Sequence, residues 1–409
     1  MITIRRQLLG LGFVAASSIL AIHAAQAMSG PSAVQIDGGP LGSLQISGGV
    51  DGYGYYQSGT GHADFAGTNV IGDNTSNFGT STNSNGANIG SALMEVQKTT
   101  GQLQFTIEVG SNGGTQSLGT SVSGQTSISL LQTGPLYLGY VTLAPTAAPG
   151  LTISAGVLTS LEGYESGVDW NNANQLTTAL FYVENANARG VEAAYSTGPF
   201  TGTLEFGDGY DNGVFNYLQG LFSYTINATN TANVYFSANL GTTGPFTASY
   251  AGDSPIYANS NMIGAYYSYT MGNLNLVPEV QYQYTKARSI LGVSKPTSNF
   301  GAALFADYSF GTSPYSIGAW GEYFDSHAGA ATASANGANN SFTWFVGPNA
   351  EAVGVSVSPT WQYKDLFSRV DAGYLYLLNN KAYGSTYGYG NSGGGRGDFT
   401  GELEAGVLF

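Results

Sequence analysis

From Leu41 to Phe409 the chain divides into sixteen runs of strand length, and the links between them alternate short and long without a break. The runs are 41–57, 88–99, 102–111, 135–145, 149–157, 188–196, 199–208, 215–226, 231–241, 261–270, 273–286, 297–310, 313–325, 350–364, 366–379 and 397–409. Seven links are short, such as Thr100-Gly101, Thr197-Gly198 and Met271-Gly272, and most carry residues that tight turns favour. Eight are long (58–87, 112–134, 158–187, 209–214, 242–260, 287–296, 326–349, 380–396), most of them rich in Gly, Ser, Thr and Asn. This meander predicts an all-β fold: a transmembrane, antiparallel, up-and-down barrel of about sixteen strands with both termini on the periplasmic, short-turn side. A soluble sandwich would break the alternation with Greek-key links.

Side chains on a strand point alternately to its two faces. In the last run Phe409, Val407, Ala405, Leu403, Gly401 and Phe399 share an apolar face, opposite Leu408, Gly406, Glu404, Glu402, Thr400 and Asp398. A final strand of this kind, closed by an aromatic, resembles the sorting signal of bacterial outer-membrane barrels. Phe409 is therefore expected to act in assembly, with the barrel assembly machinery and outer-membrane lipid as partners. In 350–364, Val353, Val355, Val357, Pro359, Trp361 and Tyr363 oppose Gly354, Ser356, Ser358, Thr360, Gln362 and Lys364. Pro278 and Pro359 each remove a ladder donor and predict a local disruption. Run 135–145 does not choose a face by its alternation. Apolar-face aromatics gather at both strand ends. Tyr195, Tyr224, Tyr269, Tyr308, Tyr363 and Phe409 mark one rim, and Tyr56, Phe206, Tyr284, Tyr323 and Tyr376 the other. Two such bands predict the aromatic girdles of a barrel in a bilayer.

Composition agrees. Arg5 and Arg6, the apolar stretch from Leu8 to Ile22, and Ala25-Gln26-Ala27 read as an export signal, so residues 1–27 leave the fold and 28–409 form the barrel. Arg5-Arg6-Gln7-Leu8-Leu9 loosely resembles a twin-arginine signal, but that route carries folded cargo, and the general export route is expected for a barrel. No other stretch approaches the ~20 apolar residues of a membrane helix. The chain has no cysteine, which excludes disulfides and thiol chemistry. Without the leader, nine Lys and Arg face 25 Asp and Glu, a formal charge of −16. That disfavours nucleic acid as a partner. Charged residues are only 9% of the chain, against ~25% in soluble domains.

The region from Ser47 to Phe409 resembles the β-barrel porins of the OmpL-like type. The resemblance is carried by Gly49-Val50-Asp51-Gly52-Tyr53, by Gly156 followed by Gly163-Tyr164-Glu165, and by Gly190-Val191. Gly207-Asp208-Gly209-Tyr210-Asp211 and the terminal strand belong to the same pattern. It implies an outer-membrane channel for small solutes in a Gram-negative bacterium and names no catalytic residue. One departure is the small number of Arg and Lys, which leaves little for a family-like ladder of basic lumen residues.

Barrel enzymes need a base near a nucleophile on the wall or rim. Only His23, His62 and His327 occur, and His62 with Asp64 or His327 with Asp325 are the available pairs, all in loops or the leader. Asp208, Asp211 and Asn212 lack the spacing of a strong calcium loop. No catalytic residue, metal site or cofactor is expected. The polar faces instead carry Asp51, Glu95, Glu108, Glu192, Glu205, Glu279, Asp307, Glu322, Asp371, Glu402 and Glu404, with Arg369 and Lys364 as bases. Arg369 and these carboxylates are the expected pore-lining residues, in a water-filled lumen that favours cations. Loop 158–187 differs from the rest in holding Leu161, Tyr164, Trp170, Leu180, Phe181, Tyr182 and Val183. Folding into the barrel, with a short helix near 174–182, would bury them and narrow the pore; the alternative is an extension of the adjacent strand above the membrane.

The sequence thus predicts a single-domain porin for passive diffusion of small hydrophilic solutes or ions, weakly cation-selective, in the form of a monomer or homo-oligomer. The rivals are a surface-exposed structural or adhesive barrel with a loop-plugged lumen, and a rim-acting hydrolase.

Overall fold

The computed structural model describes residues 28, 32–59, 83–113, 115–120, 122, 135–185, 187–244, 255–291, 293, 295–327, 332–333, 339–340, 344–347, 349–382, 385–386, 388–390 and 394–409. The leader 1–27, His62 and Asp64 lie outside them.

Sixteen strands make one closed antiparallel barrel. In chain order they are β1 (Ser43–Ser58), β2 (Asn83–Lys98), β3 (Leu103–Asn112), β4 (Leu136–Leu143), β5 (Leu151–Thr159), β6 (Asn187–Thr197), β7 (Phe200–Gly207) and β8 (Tyr217–Asn227). They continue as β9 (Asn230–Asn239), β10 (Ser260–Met271), β11 (Leu274–Thr285), β12 (Thr297–Ser309), β13 (Tyr315–His327), β14 (Glu351–Tyr363), β15 (Leu366–Asn379) and β16 (Gly397–Leu408). Each strand pairs with its sequence neighbours, and β1 closes on β16 with Gly49 opposite Leu408. Every expected run reappears, the largest shift being the start of β2 at Asn83 rather than 88. The short turns share one rim with both ends of the barrel. Gly198 (φ 56°) and Gly272 (φ 60°) take the left-handed conformation that lets two of these turns be so tight. Sequence reasoning missed a strand, Val34–Asp37, which folds back on the start of β1 with Val34 opposite Ile46.

The faces fall as the alternation predicts. Along β14, Val353, Val355, Val357 and Pro359 are exposed, while Gly354, Ser356, Ser358 and Thr360 are buried inside. An exposed apolar face and a buried polar one invert a soluble protein, and only a lipid surround makes that favourable. Tyr195, Tyr224, Tyr308, Tyr363 and Phe409 stand exposed near one rim, and Tyr56, Phe206 and Tyr376 near the other. Both prolines interrupt one ladder and keep the other. Pro278 stays opposite Leu304, but β10–β11 pairing skips from Tyr266–Glu279 to Tyr269–Leu276. Pro359 stays opposite Ile317, but β14–β15 pairing skips from Val357–Ala372 to Thr360–Arg369. In β4 the ambiguous strand buries Leu138 and Thr142 and exposes Val141 and Leu143.

Candidate functional site: the lumen and its inward loop

The loop between β5 and β6, described over 160–185, crosses the interior of the barrel. Four of its apolar side chains, Leu161, Leu176, Leu180 and Val183, are fully buried. Each such burial stabilises the inward position by about 1.5–3 kcal/mol. Leu176–Thr177 forms a parallel bridge with Gln116–Ser117 of the β3–β4 loop, so two loops meet inside. A short helix follows, Ala179–Tyr182, capped where the Phe181 N–H donates to the Thr178 hydroxyl. Its Tyr182 is an exception to the expected burial. It is 45% exposed, with its ring against Phe345.

The wall receives this loop through two kinds of group. Carboxylates accept its backbone donors. Asp371 takes the N–H groups of Gln175 (2.7 Å) and Leu176 (3.1 Å), and Glu322 takes that of Ala179 (2.7 Å). Arg369 donates to the carbonyls of Asn172 (2.8 Å) and Asp169 (3.1 Å) while its Nε pairs with Glu404. Gln281 and Gln283 donate to Glu184 and the Val183 carbonyl. Glycines make the remaining room. A Cβ at Gly318 would stand 2.7 Å from Ala173 Cβ, and one at Gly373 2.8 Å from Leu176. Within the loop, Glu162 takes the Asn185 N–H (2.7 Å) and Glu165 takes Thr178, and Glu162 also takes the Tyr217 hydroxyl of β8 (2.8 Å).

The aromatic part of the cradle was not anticipated. Tyr217, Tyr235, Tyr266, Phe305, Trp320 and Phe324 all point inward and are buried. The signal was present. Tyr217, Phe305 and Trp320 stand two residues before Gln219, Asp307 and Glu322, in phase with the polar face. A large aromatic on that face marks where something apolar docks. The same apolar core continues to the loop rim through Ile256, Leu291, Val293, Trp344, Phe345 and Tyr389.

The twelve candidate lumen residues do not share the same surroundings. Asp51, Glu205, Glu279, Glu322, Arg369, Asp371, Glu402 and Glu404 are buried. Glu95, Glu108, Glu192 and Asp307 are half-buried. A cavity of about 510 Å³ lies between the loop and the wall, lined among others by Glu95, Glu108, Tyr137, Tyr140, Glu162 and Asp307. Among these twelve, three carboxylate pairs stand directly opposite across strands: Glu95–Glu108, Glu192–Glu205 and Asp371–Glu402. Like charges so placed repel. Among the described residues Arg369 is the one buried basic side chain. Elsewhere, Asp208 is held by Arg189 (2.6 Å) rather than gathered with Asn212, whose side chain accepts the Val214 N–H. His327 lies 3.3 Å from Asp325, exposed on the loop rim and away from the cavity.

A closed sixteen-strand barrel, apolar outside, acidic inside and crossed by an inward loop, defines an outer-membrane channel. The chain belongs to the family described as "Putative beta-barrel porin-2, OmpL-like", whose model matches residues 43–409. It is a porin of the bacterial outer membrane. No curated protein matches the chain. Its fold is similar to that of OmpT, an outer membrane protein of Vibrio cholerae, at 9% identity over 90% of this chain and 98% of that one, TM-score 0.52. It is similar also to the outer membrane channel DcaP of Acinetobacter baumannii, at 11% identity over 90% and 97%, TM-score 0.51. OmpF of Salmonella typhi matches at 12% identity over 92% and 100%, TM-score 0.50.

Proposed function

We propose that this porin is a passive, weakly cation-selective channel for small hydrophilic solutes and ions, acting without catalysis or cofactor. The observation that carries this reading is the half-buried Glu95–Glu108 pair, directly opposite across β2 and β3 and facing the cavity. Glu192 and Asp307 add to the acidic wall, and Arg369, already engaged by Glu404, offers no counter-charge there. Mobile cations are the species that relieve such repulsion. The buried members of the acidic set (Asp51, Glu205, Glu279, Glu322, Asp371, Glu402 and Glu404) act mainly by holding the interior together. Export after cleavage near residue 27, insertion by the barrel assembly machinery and a lipid surround complete the reading. A homo-oligomer fits as well, since OmpT of Vibrio cholerae is described in a trimer form.

Reversal potentials of the purified protein in a planar bilayer under a salt gradient test this. A cation preference that falls in Glu95→Gln and Glu108→Gln is expected, and anion preference would reject the acidic-lumen reading. A second reading is a surface barrel with a plugged lumen. It is favoured by the apolar core that joins the loops across the interior. Absence of conductance steps from folded protein would select it.

A further inference from the structure

Where the inward loop meets the seam between β1 and β16, Asp51, Asp169 and Glu404 bring carboxylate oxygens within 4.8 Å of one another. The three residues are 3%, 0% and 0% exposed. Their known partners account for only part of them. Asp51 accepts the Ser91 N–H (3.0 and 3.2 Å), Asp169 Oδ1 accepts the Trp170 N–H (2.9 Å), and Glu404 Oε2 pairs with Arg369. Asp169 Oδ2 and Glu404 Oε1 are enclosed and accept no hydrogen bond. A buried carboxylate oxygen without a donor is costly. The wall also keeps the space beside them clear. A Cβ at Gly90 would stand 1.9 Å from Asp51 Oδ1 and 2.9 Å from Asp169 Oδ2.

Oxygens no more than 4.8 Å apart can surround one Ca²⁺, which holds its ligands at about 2.3–2.6 Å. The donors are all hard oxygens from three separate segments, an irregular set that Ca²⁺ tolerates better than Mg²⁺ does. We propose that Asp51, Asp169 and Glu404 bind a divalent cation, Ca²⁺ by preference, that clamps the inward loop to the closing seam of the barrel. The ion joins β1, the loop and β16 at one point, so it stabilises closure of the barrel and the loop position together. The site stands on these contacts whatever the channel conducts.

The test uses full-length folded protein in detergent, stripped with EGTA. Tb³⁺ serves as the Ca²⁺ probe, excited through Trp170, which adjoins Asp169 in sequence. One saturable emission, displaced by Ca²⁺, is expected, together with a rise in the thermal unfolding midpoint on adding Ca²⁺. Asp169→Asn leaves the barrel strands intact and should weaken Tb³⁺ binding at least as much as loss of an outer-sphere partner does, about 10- to 100-fold. Asp325→Asn, on the exposed rim, should leave both readouts unchanged. Heat-modifiable migration on a gel confirms that each variant is folded. If Ca²⁺ leaves unfolding unchanged, or if Tb³⁺ emission is the same in Asp169→Asn as in the natural protein, the proposal fails and a shared proton closes the cluster instead.

Discussion

Val355 and Ser356 are neighbours in sequence and sit in different surroundings. Val355 is 54% exposed on the lipid face, while Ser356 is fully buried, accepting from Asn174 Nδ2 (3.0 Å) and donating to Asp371. Val355→Arg should lower stability by about 2–4 kcal/mol if the site lies near the bilayer midplane, measurable by reversible unfolding in lipid. Alternation alone suggests that Ser356→Arg would be cheap, as for any wet lumen position. The structure revises that expectation: an arginine there has no water to enter and must push Asn174 and its loop away. Ser356→Arg should therefore raise conductance as well as cost stability; equal destabilisation with unchanged conductance would contradict the docked loop. The same logic divides the carboxylates. Glu108→Gln should reduce cation preference, whereas Glu322→Gln, which removes charge from under the loop at Ala179, should change selectivity little.

The inward loop is the element expected to limit the free cross-section. Deleting 172–182 removes Leu176, Leu180 and the short helix, and single-channel conductance should rise; an unchanged value would mean the segment does not limit flow. Trp344 and Phe345, from the long link 326–349, belong to the same apolar core. The loop's position also depends on protons. Burial pushes the Glu165 and Glu184 carboxyls well above the usual carboxylate range, and the charge of Glu279 adds to the effect at Glu184. The docked loop thus binds more protons than a released, hydrated one. Docking is then strongest below the ordinary carboxylate range, around pH 4, and weakens as pH rises through the raised values. Conductance should increase with pH, and Glu184→Gln should flatten the profile. A fall in conductance as pH rises would reverse the sign and reject this coupling.

The barrel as a whole is sealed at one seam. The Gly48 N–H donates to the Phe409 carbonyl (2.8 Å), and the Phe409 N–H returns to that of Gly48 (2.9 Å). Phe409 therefore closes the β1–β16 ladder and presents an exposed ring near the lipid rim. Its deletion should lower the amount of heat-modifiable barrel in the outer membrane while export to the periplasm continues. Normal amounts of folded barrel from the truncated gene would count against a role in assembly.

Period-two patterning and turn chemistry determined the strand number, the order and the faces, because each depends on local geometry repeated sixteen times. The apolar content of loop 158–187 called for burial somewhere; that the burial is inside the barrel came from the tertiary structure. What covers each polar position was decided only by the tertiary structure. Glu95 and Glu322 look alike in sequence, yet one faces the cavity and the other holds a backbone donor. Gly318 and Gly373 look like ordinary strand glycines until Ala173 and Leu176 rest on them. Asp51, Asp169 and Glu404 are separated by 118 and 235 positions and meet only because the barrel closes and the loop turns in. Alternation assigns a side chain to a face; which distant segment arrives at that face depends on the path of the loops, for which the sequence carries no period.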